Sequence, residues 1–223
     1  MQVAFMVVLI GVLVAAVVSF AVMGLLQHRR TNVLAGKAHR MGMRFSVEDP
    51  FDVPRRYADF ARIASGHSAS AHNVTYGRLG GLPVRAFDFR YEIGHGTRRT
   101  ARHYGVVVIE TSEALPPLVM WNDRDVECAP LASHQCDGHV ACWAYLGPEP
   151  LAAAVGYACR ALADRGAGMQ AVGHAVMLCV PIRSRRQDYS DLMACAAAAL
   201  QAATVGDPAR TAGTARENPP ATP

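Results

Sequence analysis

Of the 24 residues from Val3 to Leu26, 21 are hydrophobic and none is charged, whereas the rest of the chain alternates short apolar runs with polar turns. As a helix at 1.5 Å per residue the run is about 36 Å long, enough to cross a hydrocarbon core of about 30 Å with some tilt. Fifteen of its residues are Val, Leu, Ile or Phe, and their summed preference for the bilayer centre favours insertion by about 5 kcal/mol. A cleaved signal peptide needs a basic start, a shorter apolar stretch and a small-residue cleavage site. Here the run follows Met1-Gln2 and ends in Gln27-His28-Arg29-Arg30. The pattern predicts a retained transmembrane anchor over residues 1–27.

After the anchor the polar and apolar spacing divides the chain into a basic connector (28–47), one folded domain (48–203) and a Pro-rich tail (204–223) expected to be disordered. In the domain, Asp52 and Pro54 predict the start of a short helix, with Tyr57, Phe60, Ala61 and Ala64 on one face and Gly66 at its end. Two strand-like runs flank Gly80-Gly81, a two-residue hairpin signal. A polar stretch from Gly94 to His103 leads into the apolar run Tyr104 to Ile109, and Leu118–Trp121, His139–Leu146 and Val172–Val180 read as further strands. Leu151, Ala154, Val155, Ala158 and Leu162 recur at helical spacing between Pro150 and Gly166, predicting a helix over about 149–165. Asp188 marks the start of another, with Tyr189, Leu192, Met193, Ala196 and Leu200 on one stripe. Several antiparallel strands followed by helix, strand and helix predict an α+β fold: a transmembrane helix, then one two-layer domain with helices packed on a mainly antiparallel sheet.

Composition narrows the function classes. The net charge of +4 is too small to predict a nucleic-acid partner, and outside the anchor the hydrophobic fraction is about 47%, an ordinary globular value. The cations are unevenly placed: Arg29, Arg30, Lys37, Arg40 and Arg44 precede the first acidic residue, Glu48. Because Lys and Arg accumulate on the cytoplasmic side of a span, the N-terminus is expected outside and the domain in the cytoplasm, at the cell membrane. The same five cations are candidates for contact with anionic lipid. So are Arg98, Arg99 and Arg102, which with His95 and His103 form a local basic patch. In a reducing cytoplasm the six cysteines remain thiols.

Three motifs in the domain are Phe45-Ser-Val-Glu48-Asp49-Pro-Phe51-Asp-Val-Pro54, Asn73-Val74-Thr-Tyr-Gly77 and Phe87-Asp88-Phe89-Arg90-Tyr91. In this order, behind an apolar anchor, they resemble a family of uncharacterised bacterial single-pass membrane-anchored proteins. The resemblance covers most of residues 45–200 and implies the same architecture, without a reaction or catalytic residues.

Candidate chemistry is sparse. In the third motif, alternation puts the three aromatics on one strand face and Asp88 with Arg90 on the other, so the acid and base are expected to form structural ion pairs. Cys128, His134, Cys136, His139 and Cys142 are the one dense group of soft ligands, and thiolate with imidazole suits zinc. Their spacing fits no zinc motif, and a single strand over 139–146 would aim His139 and Cys142 oppositely. No phosphate loop or nucleophile elbow is present, so no catalytic residue and no cofactor is assigned. The expectation is a membrane-tethered cytoplasmic module that binds or regulates an unknown protein partner at the lipid bilayer. The alternative is a membrane-anchored enzyme, or a zinc domain, using the Cys/His site at 128–142.

Overall fold

A computed structural model describes residues 2–122, 136–183, 187 and 189–205. Helix α1 (Gln2–Arg40) is unbroken for 39 residues, about 58 Å. Its window Phe5–Val22 is long and apolar enough to cross a membrane, and none of it is buried against the domain. The expected connector is therefore helical as far as Arg40. Only the residues after it are extended, beginning with strand β1 (Arg44–Ser46). The reason is that the helix gains an apolar docking face: Leu34 and Ala38, four apart, are 2% and 0% exposed.

Two one-turn helices follow, α2 (Val53–Arg56) and α3 (Ala61–Ala64). Asp52 does not cap α2, because it sits in the left-handed region without a side-chain bond. Asp49 replaces it, its carboxylate accepting from the backbone N–H of Phe51 (3.0 Å) and Val53 (2.7 Å). The buried face is Val53, Tyr57, Phe60 and Ile63, while Ala64 is exposed. The two short turns, broken between Tyr57 and Phe60, rotate the later residues away from a single helical stripe.

Strands β2 (His67–Leu79) and β3 (Leu82–Ile93) form the expected hairpin, closed by Gly80 and Gly81 at φ 58° and 86°, the positive values a two-residue turn demands. The remaining strands are β4 (Thr100–Glu110), β5 (Leu118–Asn122), β6 (Gly138–Val140), β7 (Trp143–Leu146), β8 (Gly168–Val172) and β9 (Ala175–Pro181). Two expected single strands are in fact hairpins. Residues 138–146 turn at Ala141, which has φ 54°, and residues 168–181 turn at Gly173. All nine strands join one antiparallel sheet in the order β1-β2-β3-β4-β9-β8-β5-β7-β6.

Alternation in the central strands builds two cores. Val107, Ile109, Val176, Leu178 and Val180 face a layer made by the tail of α1, by α4 (Glu149–Ala158) and by α5 (Ser190–Val205). Val106, Val108, Met177 and Cys179 face the aromatics Phe87, Phe89, Tyr91 and Tyr104 and the segment holding α2 and α3. The predicted helix 149–165 stops at Ala158 and continues from Arg160 to Arg165 as a tighter three-ten turn, ended by Gly166. On α5 the predicted stripe is buried: Tyr189, Leu192, Met193, Ala196 and Leu200 are all below 5% exposed. Asp188 and residues 206–223 of the expected tail lie outside the described residues, and Thr204 and Val205 belong to α5.

Candidate functional site

The polar chemistry of the domain is concentrated where α1 meets the sheet. A β-bulge in β2 between His72 and Thr75 turns Asn73 into the left-handed region at φ 53°, a conformation Asn tolerates better than most residues. That rotation aims the buried amide at two neighbours. Thr31 Oγ1 donates to Asn73 Oδ1 at 3.0 Å, and Asn73 Nδ2 donates to Asp88 Oδ2 at 2.9 Å. On β3, alternation sends Asp88 to the face opposite Phe87 and Phe89, toward α1.

Arg30 completes the cluster. Its Nε and Nη2 donate to the two carboxylate oxygens of Asp88 at 2.8 and 2.6 Å, and its Nη1 donates to the Gln187 carbonyl at 2.8 Å. Tyr189 donates its hydroxyl to Asp88 Oδ1 at 2.9 Å. The carboxylate thus receives four bonds from three side chains, with side-chain exposure of 10% for Arg30 and 15% for Asp88. Burial pulls the Arg30 pKa down, but the hydrogen bonds and charge of Asp88 outweigh it and leave it raised. Burial, then the Asp88 charge, holds the Tyr189 phenol neutral, well above its usual range. A fully donated carboxylate and a neutral buried phenol make a lock and offer no proton-transfer pair.

Two of the three sequence motifs supply this junction, and the first shapes the segment on the opposite face of the sheet. Asp49 shapes the loop before α2, Asn73 and Asp88 bind α1, and Gly77 lets Met43 lie against β2, since a Cβ there would stand 3.1 Å from the Met43 side chain. Asp88 and Arg90 do not pair with each other: Arg90 pairs with Glu92 at 3.3 Å, and Asp88 with Arg30. Arg30 is therefore turned into the domain. Lys37 and Arg40 lie about 16 and 21 Å of helix beyond Leu26, about two to two and a half times the Debye length of about 8 Å at physiological salt. Arg29 is exposed near the end of the apolar run, and Arg44 is exposed on β1.

A second cluster lies on the other side of β3. Glu110 accepts from Tyr57 Oη at 2.8 Å and forms ion pairs with Arg85 at 2.6 Å and Arg56 at 3.1 Å. Burial raises the Glu110 pKa, but hydrogen bonds from Arg85 and Tyr57 overcome it and leave it below the usual carboxylate range. Burial pushes the Tyr57 phenol up to about 12, although Arg85 opposes the shift. Between this cluster and β1 lies a groove of about 370 Å³ lined by Arg44, Arg78, Arg85, Phe51 and Tyr76, with Arg85 stacked 4.7 Å over the Phe51 ring. A lowered carboxylate and a raised phenol both titrate far from neutrality, so the cluster is suited to positioning rather than to acid–base work.

The pH dependence follows from Glu110. Its folded pKa is depressed, so the unfolded chain holds more protons between that value and the unfolded value near 4.3, about the ordinary glutamate figure. Its contribution to stability is full above that window and is lost as pH falls through the folded pKa. Glu110→Gln is expected to flatten the acid limb of the stability profile, measured by chemical denaturation of the full chain in detergent; superimposable acid limbs would refute this.

The Cys/His group is only partly visible. Cys128 and His134 lie outside the described residues. Cys136 Sγ is 4.0 Å from His139 Nδ1, and Cys142 follows the Ala141 turn. Among the described residues no group of three or more His, Cys, Asp or Glu is arranged to hold a metal, and the five described cysteines are free. Burial pushes the Cys159 thiol up to about 12, away from reactive thiolate. Arg98 lies on the three-ten turn of the β3–β4 loop and Arg99 just after it, and Arg102 lies within β4.

Known protein families provide no match to the sequence, and no curated protein matches it. The fold is similar to the crystal structure of the mycobacterial trehalose monomycolate transport factor A, TtfA, with a TM-score of 0.52 at 15% identity, covering 89% of this chain and 98% of that one. At that identity the likeness is one of fold: an α+β domain built on a large antiparallel sheet.

Proposed function

We propose that this chain is a membrane-tethered binding module: α1 crosses the cell membrane with its N-terminus outside, and the cytoplasmic α+β domain holds a protein partner at a set distance from the bilayer. The observation that carries this reading is the unbroken passage of α1 from its exposed apolar half into the Arg30–Asp88 lock, with no flexible linker between them. An enzyme diffusing to its substrate gains nothing from such rigidity, whereas a docking platform does, because preorganisation lowers the cost of ordering on binding.

The groove beside Arg44, Arg78 and Arg85 is the partner-facing surface in this reading. It combines cations with two aromatic rings, which suits an acidic segment of another protein. Arg78 is held in place by donating to the Gly81 carbonyl at 2.7 Å. The shared fold with a protein named as a transport factor supports an accessory role in transport at the membrane over catalysis. Asn73, Gly77 and Asp88 of the motifs serve the helix junction, and the order of the three motifs supports membership of the anchored bacterial family that they resemble.

A photo-crosslinking residue in place of Arg78, activated in intact membranes, is expected to yield one discrete protein adduct. The same probe in place of Ala153, exposed on α4, is expected to yield none. Arg44→Glu should reduce the Arg78 adduct severalfold. Equal labelling from both positions, or an adduct indifferent to Arg44→Glu, would refute the groove as the binding surface.

A further inference from the structure

We infer that the β3–β4 end of the domain rests on anionic lipid headgroups of the bilayer that α1 crosses, so the domain has a second, electrostatic foot beside the anchor. This rests on the membrane-spanning reading of α1 proposed above. Direction comes from the register. Thr31 bonds Asn73 and, further along, Met43 packs on Gly77, so α1 and β2 advance the same way. From Arg30 to Arg40 the helix covers about 15 Å; from Asn73 to Gly77 the strand covers about 13 Å. The Gly80-Gly81 turn therefore points away from the apolar half of α1. The opposite ends of β2 and β3 point toward it.

The distances place that end at the helix exit. From Asp88, level with Arg30, β3 continues five residues to Ile93, about 17 Å. Along α1, Arg30 back to Leu26, the last residue of the apolar run, is about 6 Å. The loop from Gly94 to Arg99 thus reaches at least to the level where the helix leaves the apolar layer, and every residue from Gly94 to Ala101 is exposed.

Charge at this end is predominantly positive. Arg90, Arg98, Arg99 and Arg102 cluster there. Glu92, the carboxylate among them, is engaged by Arg99 at 3.2 Å, Arg90 at 3.3 Å and His67 at 3.9 Å. His67 also bonds the Gly94 carbonyl at 2.8 Å, tying the start of β2 to the loop. Phosphate-bearing headgroups suit exposed arginines, which bind oxyanions through a forked donor set.

The test reconstitutes the full chain into vesicles of phosphatidylcholine alone and of phosphatidylcholine with phosphatidylglycerol, and follows amide hydrogen exchange. Exchange of residues 94–101 is expected to slow severalfold on the anionic vesicles, while the Gly80-Gly81 turn is unchanged. High salt, or Arg98→Gln with Arg99→Gln, should abolish the difference, since each near-surface arginine contributes on the order of fivefold in affinity. Equal exchange on both vesicles, with the chain co-floating, overturns this inference alone. Protection seen only in native membranes assigns the patch to an acidic protein and also overturns it. A chain that fails to float with either vesicle overturns the membrane reading as well.

Discussion

Asp88→Ala is expected to destabilise the domain by about 3–5 kcal/mol, the usual cost of leaving a buried charge without its partner. Arg30 would keep its charge at 10% exposure without its carboxylate partner, Asn73 Nδ2 would lose its acceptor, and the Tyr189 hydroxyl would fall back on the Asn73 carbonyl at 3.3 Å. Replacing the ion pair as a whole, Arg30→Met with Asp88→Leu, should recover part of the loss, because apolar pairs often substitute well for buried ion pairs. Recovery is partial because Asn73 Nδ2 still lacks its acceptor and Tyr189 falls back on the longer bond to the Asn73 carbonyl. Chemical denaturation of the full chain in detergent reads both variants. A loss below about 1 kcal/mol for Asp88→Ala, the range of surface ion pairs, would mean that the junction is open to water and does not lock α1.

Phe87→Ala should cost a further large amount, again about 3–5 kcal/mol, here from transfer free energy plus the cavity left behind. The ring is fully buried, stacks on Tyr57 with centroids 6.5 Å apart and meets Phe89 edge-on at 6.4 Å. Its loss removes the floor beneath Tyr57, so the Tyr57–Glu110 bond should weaken as well. For a domain of this size the loss corresponds to a fall in Tm of about 6–20 °C, measured by calorimetry. Phe87→Leu preserves most of the volume and should cost about 1 kcal/mol. Equal losses in the two variants would show that the ring stack, rather than filled volume, is what the position supplies.

The elements most legible in the sequence are those in which one local signal and one burial pattern agree. The Gly80-Gly81 hairpin follows from backbone freedom at two adjacent residues, and the α5 stripe from a spacing that survives any choice of helix ends. Where the signals were short, they merged. Residues 139–146 and 172–180 read as single strands because Ala141 does not look like a turn residue and the lone Gly173 sits at the edge of a continuous apolar run, and only tertiary pairing reveals the reversals. The junction was half legible. Alternation put Asp88 opposite the aromatics, yet its partner lay 58 residues away in a segment that composition marked as a connector. The local clue was the four-residue spacing of Leu34 and Ala38, which continues a helical face past the apolar run. Five cations in the same stretch drew attention to lipid instead, and a count of charges cannot tell a buried arginine from an exposed one.

The unbroken α1 has a mechanical consequence if the chain is anchored as proposed. Its apolar run ends at Leu26 and its clasp on the domain begins at Arg30, leaving about one helical turn between the two grips. So short a helical span bends little, and any lean of the helix becomes a lean of the whole domain. Transmembrane helices adjust their lean to match the thickness of the surrounding bilayer, averaging about 20°. Over the roughly 30 Å from the helix exit to the far hairpin, estimated from helix rise and strand length, such a lean swings the far pole sideways by about 10 Å. Bilayer thickness then acts as an input that steers where the Arg44–Arg78 groove is presented.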